Sequence, residues 1–143
     1  MRRSVRRLAE LAALPEKEFL ADPDNFAIAE HHFRRAIEAA MDLGRHLIAR
    51  LALGSAEEYA DVPRVLGESR ILSPETTTAA LQLARLRSRP VHLYWQVTPA
   101  ELHRLLQTQV EPLEAFCTEV QAFMDADRRP GQAGSDDEGT GTE

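Results

Sequence analysis

The sequence predicts an all-α protein, an up-and-down bundle of about five helices. Three observations support this fold class. Apolar residues recur with the period of one helical face, several helix starts carry capping residues followed by proline, and no stretch alternates apolar and polar residues as a half-buried strand would. The 143 residues are enough for one domain with a sizeable core.

The first two helices are predicted near the start of the chain. The first is expected over Arg3 to Leu14, and the second begins after Asp22, an N-cap residue with Pro23 at the first helical position. The apolar positions of the second helix follow one face: Phe26, Phe33, Ile37, Met41, Leu47, Ile48 and Leu51.

Three further helices are each predicted by a capping residue and its partners: Ser55 with Glu58, Ser73 with Pro74, and Thr98 with Pro99 and Glu101. Pro63 and Pro112 fall inside otherwise helical stretches, so each is expected to kink or restart its helix.

The end of the chain differs from the rest in composition. Residues 129–143 contain no large apolar residue and are rich in glycine and acid. Burial cannot offset the ordering entropy of such a segment, so we expect a disordered acidic tail after a helical domain at 1–128.

The net charge of −6 is unevenly distributed. Beyond residue 124 there are six acidic residues and two arginines, a charge of −4, which leaves −2 for the rest of the chain. The basic runs Arg2–Arg7 and Arg85–Arg89 can therefore create positive patches on a nearly neutral body. The overall charge does not exclude an RNA partner.

Several classes of protein and site are not expected. With one cysteine there is no intrachain disulfide, and Cys117, on the apolar side of the last helix, is predicted to be an inert core thiol in a reducing, cytoplasmic compartment. No apolar run reaches the roughly 18 residues of a spanning helix, and no signal-peptide core is visible, so no membrane partner is expected. The histidines outside residues 85–95 lack metal-ligand spacing and no glycine-rich phosphate loop occurs, so neither a metal nor a cofactor is predicted.

The stretch RLRSRPVHLYW, residues 85–95, is the one dense run of arginine, histidine and aromatic residues. Arg87 and His92 are about 140° apart around a regular helix, so they do not converge within a straight one. Pro90 disfavours helical geometry at Arg89. Either this local break brings the pair together, or a second copy of the chain completes the site; the spacing does not decide between them. By composition alone, such a run is more often a solvated helix face with packed aromatics.

Arg87, His92 and Tyr94 resemble the motif of the HEPN superfamily, specifically its HepT-like branch: arginine, four residues, histidine, one residue, tyrosine. The resemblance extends over roughly residues 3–127. Three segments follow in the order of that family: FLADPDNFAIAEHHFRRAIEAAMDLGRHLIARL, EEYADVPRVLGESRIL and LARLRSRPVHLYWQV. Two positions depart from the family pattern, since Ser88 stands where asparagine is usual and Pro90 replaces an aliphatic residue.

The resemblance implies a HEPN-like bundle that acts as a metal-independent endoribonuclease toxin of a toxin–antitoxin pair and works as a homodimer. In that function His92 would accept the ribose 2′-OH proton, and Arg87 would hold the phosphate as negative charge develops. Arg85, Ser88 and Arg89 would contact the RNA without reading its sequence.

The resemblance also implies a protein partner, a minimal nucleotidyltransferase antitoxin that attaches AMP to Tyr94. An adenylylated Tyr94 would place bulk and phosphate charge two residues from His92 and block RNA. The alternative function is a catalytically inactive HEPN-like helical dimer, a binding module for a nucleotidyltransferase, with activity lost through Ser88 and Pro90. The alternative role of Tyr94 is that of a packed aromatic.

Overall fold

The computed structural model describes residues 1–88 and 97–128, and there the chain forms helices joined by turns and short irregular segments. Six helices occur in these residues: α1 (Arg2–Ala13), α2 (Glu16–Ala21), α3 (Pro23–Arg50), α4 (Asp61–Glu68), α5 (Pro74–Ser88) and α6 (Pro99–Arg128). The prediction of an all-α bundle is confirmed. The tail predicted at 129–143 lies outside the described residues.

Three predicted helix starts are confirmed by their hydrogen bonds. The side chain of Asp22 accepts a first-turn N–H of α3 at 3.0 Å, and the hydroxyl of Ser73 accepts a first-turn N–H of α5 at 3.2 Å. At the start of α6, Thr98 and Glu101 form a capping box. The Glu101 N–H donates to Thr98 Oγ1 at 3.2 Å, and the Thr98 N–H donates to the Glu101 carboxylate at 3.4 Å. Each cap satisfies N–H groups that have no partner within the helix.

The helix predicted to start at Ser55 starts instead at Asp61, so the capping box of Ser55 and Glu58 is wrong. A helix running from Ser55 would place Pro63 in its interior, where the ring clashes with the preceding turn. Starting at Asp61 puts Pro63 in the first turn, where its missing N–H costs nothing. The Asp61 carboxylate accepts the Glu58 N–H at 3.0 Å. The turn that precedes α4 is thus closed by a hydrogen bond to Asp61.

Two other elements differ from the prediction. The short helix α2 is not predicted by the sequence pattern; it follows Pro15 and buries Phe19, which is 1% exposed. Pro112 lies inside α6, which continues through it, so the predicted restart does not occur there. Proline lacks an N–H, so the carbonyl of Thr108 has no donor from within the helix.

The two long helices α3 and α6, of 28 and 30 residues, are the scaffold of the bundle. At a rise of 1.5 Å per residue they span about 42 and 45 Å. Helices α1, α2 and α5 each pack on both of them, and α4 packs on α3 and α5. Gly44 lets α3 approach α4 closely, because a Cβ at this position would overlap the side chain of Val62.

The core is a single cluster formed by the inward faces of all six described helices, and its largest fully buried side chains are Phe19, Phe33, Phe116, Leu8, Leu11, Ile37, Met41, Leu66, Leu83, Leu106 and Leu113. No helix in the described part of the chain is long and apolar enough to cross a bilayer.

Candidate functional site

The predicted site lies at the junction between α5 and α6. Arg85 is exposed in the last turn of α5. Arg87 and Ser88 are the last two residues of α5, and the structure describes only their backbone. The chain is described again from Val97, immediately before the cap of α6. Three predicted site residues lie outside the described residues: Arg89, His92 and Tyr94.

The end of α5 that leads into the motif is anchored in the core. Leu83 is 1% exposed and Ala84 is fully buried, whereas Arg85 faces solvent. Arg87 follows Leu83 by about one helical turn, and Arg85 is about 160° from Arg87 around the helix. By backbone register, the two arginines therefore belong to opposite sides of α5.

One carboxylate joins the other end of α5 to α6. Glu119 accepts hydrogen bonds from the Ser73 N–H at 2.8 Å, from the Ser73 hydroxyl at 2.9 Å and from the Thr76 hydroxyl at 2.7 Å. The start of α5 thus lies beside the second half of α6, while its end precedes the start of α6 by ten residues. Ten residues reach at most about 36 Å. If α5 ran parallel to α6, the end of α5 would lie farther than this from the start of α6, so the two helices must run antiparallel. The motif spans the end of α5 and the connection to α6.

The ionisation of Glu119 reflects this arrangement. Burial raises its pKa, but the hydrogen bonds from the Ser73 N–H and from the Thr76 and Ser73 hydroxyls together outweigh burial and leave the pKa below its ordinary value. Hydrogen bonds donated to the charged form stabilise that form. Glu119 is therefore a carboxylate at neutral pH.

The first turns of α6 are fixed by a second contact. The Nε2 of His103 lies 2.8 Å from the carbonyl oxygen of Leu14, and its ring packs on Phe19 with centroids 4.9 Å apart. Gln107 donates to the carbonyl of Ala12. These two side chains satisfy carbonyls at the end of α1, which have no donors of their own within the helix.

Sequence reasoning missed both contacts. Glu119 is one acid among several on a long helix, and His103 has no motif around it. Ser73 is recognisable as a cap, but its carboxylate partner is 46 residues away. Only the fold brings such partners together.

Three features outside the motif bear on chemistry: metal ligation, a groove and a thiol. Among residues 1–88 and 97–128, no group of three or more histidine, cysteine or acidic residues is placed to hold a metal ion. A groove of about 830 Å³ beside Glu119 is lined partly by Arg70, Leu72 and Phe123. The carboxylate of Glu119 already accepts three hydrogen bonds from Ser73 and Thr76. Cys117 packs against the core and is partly buried, and burial raises the pKa of its thiol, so it is protonated at neutral pH.

Comparison with known proteins gives a consistent result. A family model described as Ribonuclease HepT-like matches residues 1–120. The tRNA nuclease HepT of Aphanizomenon flos-aquae (strain 2012/KM1/D3) is 21% identical over 107 residues, which cover 75% of this chain and 73% of that protein.

Two solved structures share the fold. One is the tri-AMPylated Shewanella oneidensis HEPN toxin in complex with MNT antitoxin, with a TM-score of 0.72 at 19% identity, over 85% of this chain and 90% of that one. The other is a toxin–antitoxin complex with AMP-PNP, with a TM-score of 0.70 at 18% identity, over 83% of this chain and 90% of that one.

We predict that Glu119→Gln lowers the free energy of unfolding by about 1–3 kcal/mol at neutral pH, because an amide offers one acceptor oxygen where a carboxylate serves three donors. Urea unfolding followed by circular dichroism measures this. The matched control is Glu111→Gln, an exposed position two turns earlier on α6.

The same pair of variants tests the pH dependence. The pKa of Glu119 is lower in the folded than in the unfolded chain, so its contribution is complete above the unfolded pKa of about 4.3 and is lost as the pH falls through the folded pKa. The stability gap between wild type and Glu119→Gln should therefore close in acid. A gap that does not change with pH, or no gap at neutral pH, would contradict the role assigned to Glu119.

Proposed function

Because this chain belongs to the Ribonuclease HepT-like family, we propose that it is a metal-independent endoribonuclease toxin of a toxin–antitoxin pair, acting as a cytoplasmic homodimer. One observation carries the proposal: the family match spans residues 1–120, which include the whole motif from Arg87 to Tyr94 and helices on both sides of it. Since the Aphanizomenon relative is a tRNA nuclease, tRNA is the first substrate to test.

The proposed reaction is attack by a ribose 2′-oxygen on the adjacent phosphate. His92, with an ordinary pKa of about 6.5, takes the 2′-OH proton at neutral pH. The 2′-oxygen forms a bond to phosphorus, and the bond to the 5′-oxygen of the next nucleotide breaks. That oxygen takes a proton from solvent, and His92 then releases its proton to solvent. The products are a 2′,3′-cyclic phosphate end and a 5′-OH end.

Arg87 is proposed as the phosphate clamp. Its planar guanidinium is permanently charged and donates to phosphate oxygens as charge develops on them. The burial of Leu83 and Ala84 supports this role, since a rigid helix end holds the backbone of Arg87 in place. Arg85, Ser88 and Arg89 are proposed to contact the RNA backbone, with Arg85 serving a different phosphate because of its register on α5.

The second candidate is a catalytically inactive helical dimer that binds a nucleotidyltransferase. Two sequence observations favour it: Ser88 replaces the family's usual asparagine, and Pro90 replaces an aliphatic residue between Arg87 and His92. Serine offers one hydroxyl in place of the two polar ends of an amide.

We predict that Arg87→Ala and His92→Ala each abolish RNA cleavage while leaving the circular dichroism spectrum unchanged. For His92→Ala the loss should be about 10²–10⁴-fold, the usual contribution of a general base. Arg64→Ala and His46→Ala, both at exposed positions outside the motif, are the matched controls. Cleavage of labelled tRNA, followed on gels, should persist in EDTA and should be absent with DNA, which lacks the nucleophile.

Full activity in His92→Ala would reject the mechanism. A wild-type protein that cleaves neither tRNA nor total cellular RNA would instead favour the inactive binding module.

Mixing the two inactive variants tests whether one site uses both protomers. If Arg87 of one protomer acts with His92 of the other, a heterodimer of Arg87→Ala and His92→Ala contains one intact pair, and mixing should restore up to half of the wild-type activity per heterodimer. If both residues act within one protomer, the mixture stays inactive. The control is a mixture of each variant with the double variant, in which neither arrangement yields an intact pair.

We propose Tyr94 as the acceptor of AMP from a minimal nucleotidyltransferase antitoxin. The Tyr94 oxygen attacks the α-phosphorus of ATP, pyrophosphate leaves, and the phenol proton goes to solvent. The attached phosphate then repels RNA near His92. The Shewanella HEPN toxin is tri-AMPylated in its complex with MNT antitoxin, and this supports testing the same modification here.

Co-expression with the proposed nucleotidyltransferase antitoxin should add the mass of AMP to the peptide that contains Tyr94, as measured by mass spectrometry. Tyr94→Phe should remain toxic in its presence. Tyr59→Phe, which changes the chain's other tyrosine, is the control and should be neutralised normally. If AMP is found on another residue, or Tyr94→Phe is neutralised as well as wild type, Tyr94 is a packed aromatic.

A further inference from the structure

One basic run lies far from the motif in the sequence and has no role in the proposed reaction. It is the run on α1, and the fold places it beside a second group of basic residues on α3. We define the α1–α3 basic surface by five residues: Arg3, Arg7, His31, His32 and Arg35.

The surface is held together by a contact between its two helices. The Nδ1 of His32 on α3 lies 3.2 Å from the hydroxyl of Ser4 on α1. The ring of His31 packs edge-on against that of His32, with centroids 5.3 Å apart. On α1, Arg3 and Arg7 are four residues apart, so they form a row on one side of the helix.

The other four members lie close enough to His32 to act on it electrostatically. Burial lowers the pKa of His32, and the positive charges of the other four members lower it further. Like charges brought together in this way are stabilised by an anion that binds among them.

Acidic neighbours neutralise this surface only in part. Glu10 pairs with Arg7 at 2.9 Å, and Glu30 pairs with Arg34, which flanks the surface, at 2.7 Å. Across residues 1–88 and 97–128, the structure records no ion pair for Arg3 or Arg35, and both side chains are exposed. Two arginines therefore remain available to an outside anion.

The chemistry of the surface favours a phosphate backbone over a protein partner. Protein interfaces depend on buried aromatic or aliphatic anchors. The α1–α3 basic surface has no such anchor, and the one large apolar side chain exposed among the described residues is Leu20 on α2, at 43%. Accessible guanidinium groups such as those of Arg3 and Arg35 suit phosphate oxygens, and contacts to phosphates do not read bases.

We propose that the α1–α3 basic surface is a second, non-catalytic contact for the RNA backbone. The inference rests on the proposed function, and it refines the substrate class. The preferred substrate is a structured RNA long enough to reach both this surface and the α5–α6 junction. A short oligonucleotide occupies the junction alone and gains nothing from the surface.

A binding experiment tests this without any need for cleavage. The probe is a fluorescent RNA hairpin with 2′-O-methyl sugars throughout, which has no 2′-OH nucleophile. The test variant is Arg3→Gln with Arg35→Gln. The matched control is Arg64→Gln with Arg70→Gln, which removes the same charge from exposed positions on α4 and the turn after it.

At about 0.1 M salt the test variant should bind the hairpin roughly tenfold or more weakly than the control, and its slope of log K against log salt should be shallower by about 1.4–1.8, the value for two lost phosphate contacts. Equal affinities and slopes for the two variants would overturn the proposal. So would normal RNA binding by the test variant together with loss of antitoxin binding, since that would make the surface a protein interface.

Steady-state cleavage separates this proposal from the proposed function. On full-length tRNA, the test variant should show a KM raised roughly tenfold with kcat unchanged, and on a short oligoribonucleotide it should match the control. If wild type cleaves no RNA, the proposed function fails, but the binding measurement still decides the role of the surface. If wild type cleaves and the two variants share one KM on tRNA, the surface is not a substrate contact.

Discussion

The carboxylate of Glu119 is the contact on which the arrangement of the motif helices depends. It accepts three hydrogen bonds from the first turn of α5, and these bonds hold α5 antiparallel to α6. At the other end of the pair, His103 and Gln107 hold the start of α6 against the end of α1. The chain between Ser88 and Thr98 therefore connects two helices, α5 and α6, that are each held in place by side-chain hydrogen bonds.

This arrangement suits a reaction that needs two side chains at defined places. A general base and a phosphate clamp contribute only when both lie within hydrogen-bond distance of the reacting group. Arg87 stands in the last turn of α5, one turn after the buried residues Leu83 and Ala84, and in the sequence Pro90 separates it from His92. Because proline disfavours helical geometry at the residue before it, the sequence predicts a break between the two residues, which would let their directions be set independently.

The distribution of charge is compatible with the RNA substrate that we propose for this acidic chain. Of the net charge of −6, −4 lies after residue 124, and many of the basic residues lie on α1, on the adjoining part of α3 and near the end of α5. Phosphate contacts depend on local potential and not on net charge, because screening limits each interaction to about 10 Å at 0.1 M salt. A nearly neutral body with such patches can bind a polyanion.

Local interactions allowed much of the fold to be predicted from the sequence. Asp22, Ser73 and Thr98 start helices because their side chains cap N–H groups two or three residues away, and helical periodicity identifies the buried faces. The same reasoning failed at Ser55, where the local box competed with Pro63 eight residues later. It also missed α2, whose six residues are too few to show a period and whose Phe19 is buried by contacts with α3 and α6.

The family, too, could be predicted from residue types and spacing, and the family match over residues 1–120 confirms it. The sequence by itself thus determined the helical class, three helix starts and the family, because all of these can be recognised from residues near one another in the chain. The tertiary structure alone decided which distant residues meet: Glu119 with Ser73, His103 with Leu14, and His32 with Ser4. Contacts of this kind arise from packing amphipathic helices around a shared core, and spacing along the chain holds no record of them.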